Sequence, residues 1–371
     1  MKQAKLLLLA IITLLPLVLV SCGGATQPIG GWSGPTVKDG IIYGGTRDGR
    51  VMAVNVSTRA AQWEWPDTTG VRSLIYATPI VQGDLVYVGT YGGQVYALTL
   101  DRGTERWVYP RTGGIGAMVG RPIVANETIY VTSSDGRIYA LDTTHGDLKW
   151  KSEPLAVKLW ASPAVKDDTL FVGTLNGRIY DLSLETGQLL GWSFESEAGF
   201  ASSPVIYEDH IYVGSFDRYL YSIEVGSNES TWRFPEEKPA GNWFWASPVV
   251  YQHIVYAGCL DGKLYAIGAE TGEKIWEFDT EGSIVSPPVL MDNLLVIADE
   301  SGTVYVFDIT AEFGDEAVPL KTISIGASVR SPFYALDGLV YIRGEDDSIY
   351  VVDINGGEVV EGWPVSLTAE E

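Results

Sequence analysis

One motif, repeated eight times, constrains this chain more than any other feature of its sequence. Each copy has a short apolar run, a tight turn that usually carries Asp-Gly or Asn-Gly, and a second run with alternating side chains. Successive copies lie 40 to 45 residues apart and fill the chain from residue 32 onward. Repeats of this period indicate a fold that stacks one unit on the next. The turn glycine or its replacement is Gly49, Gly93, Gly136, Gly177, Arg218, Gly262, Gly302 and Asp347.

Each repeat predicts four short β-strands, which we label A to D. Strand A follows a proline, and strand B is a run of β-branched and aromatic residues. Strand C follows the Asp-Gly turn, whose two central residues are both expected to have positive φ. Strand D follows a turn that is Thr-Gly in two repeats, and it carries a tryptophan in every repeat except the seventh. The opening prolines are Pro35, Pro79, Pro122, Pro163, Pro204, Pro248, Pro287 and Pro332.

A sheet of four such strands cannot bury both of its faces by itself. Units of this length therefore pack face to face around a central channel. The predicted fold class is all-β: an eight-bladed β-propeller of four-stranded antiparallel blades. The repeated tryptophans are predicted to dock each blade on its neighbour, and losing one should cost about 3–5 kcal/mol. These structural residues are Trp63, Trp107, Trp150, Trp192, Trp232, Trp276 and Trp363.

The first residues resemble a secretion signal for a lipoprotein. Lys2 and Lys5 precede an apolar stretch over 6–20, which is short for a membrane span and suits a signal peptide. The stretch ends in Leu-Val-Ser-Cys, which resembles the bacterial lipobox and marks Cys22 as the lipid attachment site. The residue that follows Cys22 is glycine. An aspartate at that position would resemble an inner-membrane retention signal. The predicted division is a signal peptide over 1–21, the lipidated cysteine with a flexible tether over 22–31, and the propeller over 32–371.

Composition excludes several classes of function. The formal net charge of −22 opposes binding to nucleic-acid phosphates, so no nucleic-acid partner is expected. Cys22 and Cys259 are the only cysteines, which excludes a disulfide framework and a cysteine-rich zinc site. The sequence has no Gly-x-Ser-x-Gly, His-Glu-x-x-His or phosphate-loop motif. We therefore predict no catalytic, cofactor-binding or metal-ligating residues.

The segment Ala266…Glu270-Thr271-Gly272…Trp276 resembles the tryptophan-docking motif of pyrroloquinoline-quinone (PQQ) repeats. The resemblance extends over about residues 32–365 and implies the propeller fold. The repeat is similar to that of two families. One is the quinoprotein alcohol dehydrogenases, and the other is the lipid-anchored outer-membrane protein assembly factors of the BamB type, which are non-enzymatic scaffolds.

The resemblance to quinoprotein dehydrogenases implies features that this sequence lacks. Those enzymes carry a disulfide between adjacent cysteines over the quinone, calcium ligands, a catalytic acid and long insertions that roof the site. Cys22 and Cys259 cannot form a vicinal pair, and the repeats leave no room for such insertions. We therefore expect no enzyme activity, and PQQ with Ca²⁺ remains only as an alternative cofactor.

A partner-binding surface is predicted where the D–A connections and the B–C turns meet. The channel rim is expected three residues before each opening proline, which includes Ile284 and Val329 in the last two repeats. Repeats four to six carry apolar residues in most rim and turn-tip positions, whereas Glu300, Glu345 and Asp346 stand in the last two. Two roles are open for the aromatic residues: docking a protein partner, or filling the channel mouth. The predicted partner-binding residues are Trp160, Leu175, Phe200, Phe216, Trp243, Phe244, Trp245 and Leu260.

The sequence as a whole predicts a lipid-anchored, extracytoplasmic binding scaffold, monomeric as a propeller, with a protein partner in the cell envelope. Its expected location is the outer membrane in a two-membrane bacterium, or the outer face of the cell membrane in a single-membrane one. Two alternatives stay open: a quinone-binding or dehydrogenase-like protein, and a surface ligand-binding module in a single-membrane bacterium.

Overall fold

The computed structural model describes residues 32–66 and 73–367, which form 33 β-strands and no helix. The predicted signal peptide and the tether with Cys22 lie outside the described residues. The strands form eight antiparallel sheets, and within each sheet the strands are neighbours in sequence order. The predicted all-β, eight-bladed propeller is therefore confirmed.

Four blades come from the first half of the described chain. Blade 1 contains β1 (Thr36–Lys38), β2 (Ile41–Gly45), β3 (Val51–Asn55) and β4 (Ala61–Trp65). Blade 2 contains β5 (Ile80–Gln82), β6 (Leu85–Gly89), β7 (Val95–Thr99) and β8 (Glu105–Tyr109). Blade 3 contains β9 (Ile123–Ala125), β10 (Thr128–Thr132), β11 (Ile138–Asp142) and β12 (Leu148–Lys151). Blade 4 contains β13 (Ala164–Lys166), β14 (Thr169–Gly173), β15 (Arg178–Ser183) and β16 (Leu189–Glu195).

The second half supplies the other four. Blade 5 contains β17 (Val205–Tyr207), β18 (His210–Gly214), β19 (Leu220–Glu224) and β20 (Ser230–Phe234). Blade 6 contains β21 (Val249–Tyr251), β22 (Ile254–Gly258), β23 (Lys263–Gly268) and β24 (Lys274–Asp279). Blade 7 contains β25 (Val289–Met291), β26 (Leu294–Ala298), β27 (Thr303–Asp308) and β28 (Lys321–Ser324). Blade 8 contains β29 (Tyr334–Leu336), β30 (Leu339–Arg343), β31 (Ser348–Asp353) and a strand D in two parts, β32 (Glu358–Val359) and β33 (Val365–Ser366).

The hydrophobic core lies between blades and not within them. Eight buried clusters each combine side chains of two adjacent blades, because the two faces of every sheet need partners. The cluster that closes the ring joins Val37 and Met52 of blade 1 to Ile349 and Trp363 of blade 8. No strand is exchanged between the first and last blades in the described chain, so side-chain packing and polar contacts close the ring.

The repeated tryptophans lie at these interfaces. In blades 1 to 5 the indole N–H donates to a backbone carbonyl after strand C of the next blade; for Trp150 the acceptor is the carbonyl of Leu184 at 3.1 Å. Trp276 instead stacks on Phe307 of blade 7, with ring centroids 6.0 Å apart. Trp363 is 8% exposed and packs against blade 1. Each of these contacts fixes one blade against its neighbour.

The B–C turns differ from the predicted two-residue geometry. In blade 1 the N–H of Thr46 donates to the carbonyl of Arg50 at 2.7 Å, so three residues form the tip. Gly49 has φ +84°, but Asp48 does not have positive φ. The expectation of two positive-φ residues is therefore wrong, because a three-residue tip needs only its last residue in the left-handed region. Arg218 and Asp347 adopt φ +73° and +61°, as replacements for the glycine must.

Candidate functional site: the upper face and the channel

The B–C turns and the D–A connections share one face of the ring, which we call the upper face. Backbone hydrogen bonds hold the two kinds of loop together: the N–H of Phe216 donates to the carbonyl of Gly199 at 2.9 Å, and that of Leu260 to Trp243 at 3.0 Å. Blades 2, 3, 7 and 8 make the same contact. Residues of the turn tips and of the connections are thus positioned side by side on this face.

Six aromatic rings form a continuous chain across the upper face, which we call the aromatic arc. Trp32 of blade 1 meets Trp245 of blade 6 with ring centroids 6.4 Å apart, although these blades are separated by blades 7 and 8. This contact therefore crosses the mouth of the channel. Neighbouring centroids along the arc are 4.9 to 6.4 Å apart, and its members in order are Tyr91, Tyr76, Trp32, Trp245, Phe216 and Trp243.

The two ends of the arc are its most exposed parts. Tyr91 is 51% exposed and Trp243 is 43% exposed, whereas Trp32 and Trp245 are half-buried. Exposure therefore differs along the arc. The middle of the arc fills the channel mouth, and its ends present aromatic surface to the solvent. Trp32, Tyr76 and Tyr91 are absent from the predicted partner-binding set, since no spacing rule links blades 1 and 2 to blade 6.

The predicted partner-binding set divides by burial. Phe200 and Phe244 are 0% and 1% exposed and belong to interblade cores, so the expectation that they lie on a binding surface is wrong. Trp243 is exposed at the surface. The half-buried members on the upper face are Trp160, Leu175, Phe216, Trp245 and Leu260.

A one-residue shift changes the rim in the last two blades. Strand A of blade 8 begins at Tyr334, so Phe333, and not Pro332, takes the position that proline has in blades 1 to 6. Val329 is consequently fully buried, and Arg330 stands at the rim. The predicted rim positions of Ile284 and Val329 are therefore wrong. Blade 7 has the same shift. Its strand A begins at Val289 as that of blade 8 begins at Tyr334, and Pro288 takes the place of Phe333. Pro287, Val285 and Ile284 then correspond to Pro332, Arg330 and Val329.

Charged residues occupy the upper face of blades 7 and 8. The guanidinium of Arg330 lies between Glu300 and Glu345, with N–O distances of 2.7 and 3.3 Å. At the seam with blade 1, the buried carboxylate of Asp347 pairs with Arg343 at 2.5 Å and accepts the backbone N–H of Arg47 at 3.1 Å. The apolar sector of blades 4 to 6 is thus bordered by an ion-paired sector.

A ring of eight residues, one per blade, surrounds the channel two residues below the rim. We call these the ring positions. Neighbours are joined by hydrogen bonds: Ser203 Oγ accepts from the N–H of Ser162, and Ser247 Oγ accepts from the N–H of Ser203, both at 2.9 Å. The ring contains no carboxylate and one charged side chain. Its members are Gly34, Thr78, Arg121, Ser162, Ser203, Ser247, Pro287 and Pro332.

These residues do not fit a calcium–PQQ centre. Calcium takes carboxylate and carbonyl oxygens as ligands, whereas the ring offers a guanidinium and hydroxyls. In the described ranges no cluster of three or more His, Cys, Asp or Glu side chains suits a metal ion. Cys259 is fully buried beneath Trp243, and burial raises the pKa of its thiol far above its ordinary value.

Comparison with known families agrees with this geometry. The model of the family described as "Outer membrane protein assembly factor BamB" matches five overlapping segments, over residues 23–158, 65–190, 134–277, 229–316 and 268–364. The chain belongs to this BamB family.

Solved structures share the fold at low sequence identity. BamB from Moraxella catarrhalis is 18% identical with a TM-score of 0.69, and the match covers 86% of this chain and 93% of that one. The computationally designed Ika8 protein is 17% identical with a TM-score of 0.71, covering 88% and 98%. Quinohemoprotein alcohol dehydrogenase from Comamonas testosteroni is 14% identical with a TM-score of 0.67, covering 87% and 70%. At these identities the likeness concerns the fold alone.

Two further observations complete the comparison. Among curated proteins there is no match to this sequence. Across residues 32–66 and 73–367, no helix has the length and hydrophobicity that a membrane crossing requires.

Proposed function

We propose that this member of the BamB family is a lipid-anchored scaffold of the cell envelope that docks a component of the outer-membrane protein assembly machinery on its upper face. The aromatic arc is the observation that carries the proposal. Exposed aromatic side chains are frequent among the residues that dominate protein–protein binding. Membership of the family and the shared fold with BamB from Moraxella catarrhalis support the same role.

The docking surface is centred on Trp243 and extends over the apolar sector of blades 4 to 6. Trp243 is 43% exposed and lies against Phe216, with ring centroids 4.9 Å apart. Leu260 on the next turn tip is tied to the Trp243 carbonyl. Hydrogen-bonded loops hold these side chains in place, so a partner meets a preformed surface and loses little entropy in ordering it.

Membrane attachment follows from the amino-terminal sequence. The proposed lipid at Cys22 holds the chain at the membrane, and two or more acyl chains give stable attachment. The tether between Cys22 and the first blade spans roughly 17 Å if it behaves as a flexible coil. The propeller would thus stay close to the bilayer and remain free to turn its upper face toward a partner in the same membrane. We place it at the outer membrane, in keeping with the family's description.

We further propose that the protein acts without catalysis and without PQQ. The donor chemistry of the ring and the buried, unpaired state of Cys259 within the described chain support this. The alternative of a quinoprotein dehydrogenase rests on the fold alone. Titration of the purified protein with PQQ and Ca²⁺ would contradict the proposal if it produced tight binding and a raised melting temperature.

Replacing Trp243 tests the docking surface. The Trp243→Ser variant removes an exposed ring without touching an interblade core, so its melting temperature should stay within about 2 °C of wild type. We expect its co-isolation with the assembly machinery from its own detergent-solubilised membranes to fall at least about tenfold. Quantitative mass spectrometry of the assembly components measures this loss, and the N-terminal peptide in the same preparation shows whether Cys22 is acylated.

The matched control is Val318→Ser. Val318 is 71% exposed and apolar, but it lies in the connection between strands C and D of blade 7 and outside the arc. This variant should retain full co-isolation. Equal recovery of the machinery with Trp243→Ser and wild type would refute docking at the arc, and so would equal loss in both variants.

A further inference from the structure

The ring positions divide into an arc of hydrogen-bond donors and an arc without them. From blade 2 to blade 6, every ring side chain carries a donor. Blades 7, 8 and 1 contribute only Pro287, Pro332 and Gly34, whose side chains have none. The donors are thus gathered on five consecutive blades. They are Thr78, Arg121, Ser162, Ser203 and Ser247.

The hydroxyl hydrogens of this arc are not used by the protein. Ser203 and Ser247 each accept a backbone N–H, at 2.9 Å in both cases, and Thr78 accepts that of Gly34 at 3.1 Å. Within the described residues none of these hydroxyls donates to a protein acceptor. A hydroxyl that accepts through its oxygen still has one hydrogen to donate. Ser162, Ser203 and Ser247 are half-buried, so their hydroxyl hydrogens are available to a ligand in the channel, whereas Thr78 is 6% exposed.

Arg121 supplies the only charge on the ring. Its side chain is exposed to the channel, and it forms no ion pair or hydrogen bond with any residue of the described ranges. The surrounding blades desolvate the guanidinium and lower its pKa, and Tyr334 of blade 8 acts in the opposite direction. Blades 3 and 8 are not neighbours, so the influence of Tyr334 places the guanidinium in the channel and not on the outer surface. This guanidinium is therefore available to bind an anion in the channel.

We propose that the channel of this protein binds a small monocarboxylate, held by Arg121 and the ring hydroxyls. Guanidinium recognises a carboxylate through two parallel N–H donors, and neutral hydroxyls complete its hydrogen bonds. One cation compensates one negative charge. A phosphate dianion or a polycarboxylate would remain under-compensated in a protein of net charge −22.

The aromatic arc indicates which group the ligand carries beside its carboxylate. Trp32 and Trp245 precede ring positions by two residues, at most about 7 Å of chain, and their contact crosses the channel mouth. A carboxylate on Arg121 would therefore lie below a roof of indole rings. An apolar group of the size of a phenyl ring suits this roof. This site shares Trp32 and Trp245 with the aromatic arc, but its charge lies on Arg121, whereas the proposed docking surface is centred on the exposed Trp243.

The test uses benzoate as the monocarboxylate probe and isothermal titration calorimetry in a buffer of low ionic strength. Arg121→Ser installs the residue that blades 4 to 6 carry at the same position, so the fold should be kept. Arg102→Ser removes an equal charge from an exposed side chain in a C–D turn and serves as the matched control. We expect benzoate to bind wild type and Arg102→Ser equally, and Arg121→Ser at least about tenfold more weakly. Benzamide, which is neutral and of the same shape, should not compete.

Three outcomes would overturn the proposal. The first is no benzoate binding to wild type at millimolar concentration. The second is equal binding to wild type and Arg121→Ser. The third is tighter binding of sulfate than of benzoate, which would assign the site to dianions. If Arg121→Ser melts below wild type, Arg121→Lys is the deciding variant. It keeps the charge, and we expect it to bind benzoate more tightly than Arg121→Ser. If benzoate does not bind, the co-isolation experiment with Trp243→Ser is unaffected, so the two proposals can be refuted separately.

Discussion

Single residues at the blade interfaces set the distance between neighbouring blades. Gly187, in the C–D turn of blade 4, lies directly on the ring of Trp150 from blade 3. A Cβ at Gly187 would stand 2.3 Å from that ring, and its φ is +70°. Both the left-handed backbone and the lack of a side chain are therefore required. The same pairing of a turn glycine with the preceding blade's tryptophan recurs at Gly103, Gly146 and Gly272.

Gly187→Ala should reduce the free energy of unfolding by about 2–4 kcal/mol. The added methyl group forces the indole of Trp150 away from its hydrogen-bond acceptor and strains a backbone at positive φ. Chemical denaturation monitored by circular dichroism measures the change. Gly113→Ala is the control, because Gly113 has φ +71° but no atom within 4 Å of an added Cβ. If both variants lose the same stability, the tryptophan contact contributes nothing.

At the scale of elements, one buried acid reshapes the edge strand of blade 4. Asp181 stands in strand C where blades 3 and 6 place alanine, and its carboxylate accepts the N–H of Trp192 at 3.0 Å. The pairing of β15 with β16 is interrupted by a bulge beside it. Leu189 and Leu190, which begin this edge strand, are 48% and 54% exposed. Blades 1, 2, 3, 5 and 6 also have an irregularity between strands C and D, but there strand D gains one residue, whereas in blade 4 it gains two.

The titration of Asp181 predicts a pH dependence of stability. Burial raises the pKa of Asp181 above its ordinary value, and backbone N–H groups oppose this shift only in part. A raised folded-state pKa means that the ionised form destabilises the fold at neutral pH, and that this cost disappears as the pH falls through the folded and then the unfolded pKa. We therefore expect Asp181→Asn to melt above wild type at pH 7, and the difference to shrink toward pH 4.

Asp142→Asn provides the control of opposite sign. Burial of Asp142 raises its pKa, but the backbone N–H donors of His145 and Thr144 and the charges of Lys149 and His145 together outweigh burial and lower it overall. A lowered folded-state pKa stabilises the fold above the unfolded pKa and is lost as the pH falls through the folded one. Asp142→Asn should thus melt below wild type at pH 7, with the difference vanishing in acid. Thermal melts at pH 7, pH 4 and a third pH well below the ordinary carboxyl pKa decide whether the two variants diverge as stated.

At the scale of the whole molecule, the ring closes by the same packing that joins every other pair of blades. Trp363 of blade 8 is 8% exposed among side chains of blade 1, and Trp107 of blade 2 is 7% exposed against blade 3. Buried polar contacts add to the seam, where Asp347 accepts the backbone N–H of Arg47. We therefore expect the interface between blades 8 and 1 to be as stable as the other interblade interfaces.

Trp363→Ala and Trp107→Ala should each lower the free energy of unfolding by about 3–5 kcal/mol, because each leaves a cavity at one interface of a closed ring. Both should unfold in one transition, which differential scanning calorimetry reports directly. A much smaller loss for Trp363→Ala, or a separate early transition in that variant, would show that the seam opens independently of the other interfaces.

The sequence by itself determined the number of blades, their four strands, the turn positions and the tryptophans at the interfaces. The strands and turns depend on contacts a few residues apart, and each tryptophan contacts the repeat that follows it, so the repeated pattern reveals both. Arg218 and Asp347 were identified as replacements for a turn glycine for this reason, and the structure confirms their positive φ.

Only the tertiary structure decided which side chains reach the upper face and the channel. A shift of one residue exchanges buried and exposed sides in an extended segment, so Ile284 and Val329 were wrongly expected at the rim, and Phe200 and Phe244 on the partner-binding surface. The meeting of Trp32 with Trp245 depends on the curvature of the closed ring, which no local spacing encodes. Contacts within a repeat follow from its own sequence, whereas contacts across the channel exist only once all eight blades have packed.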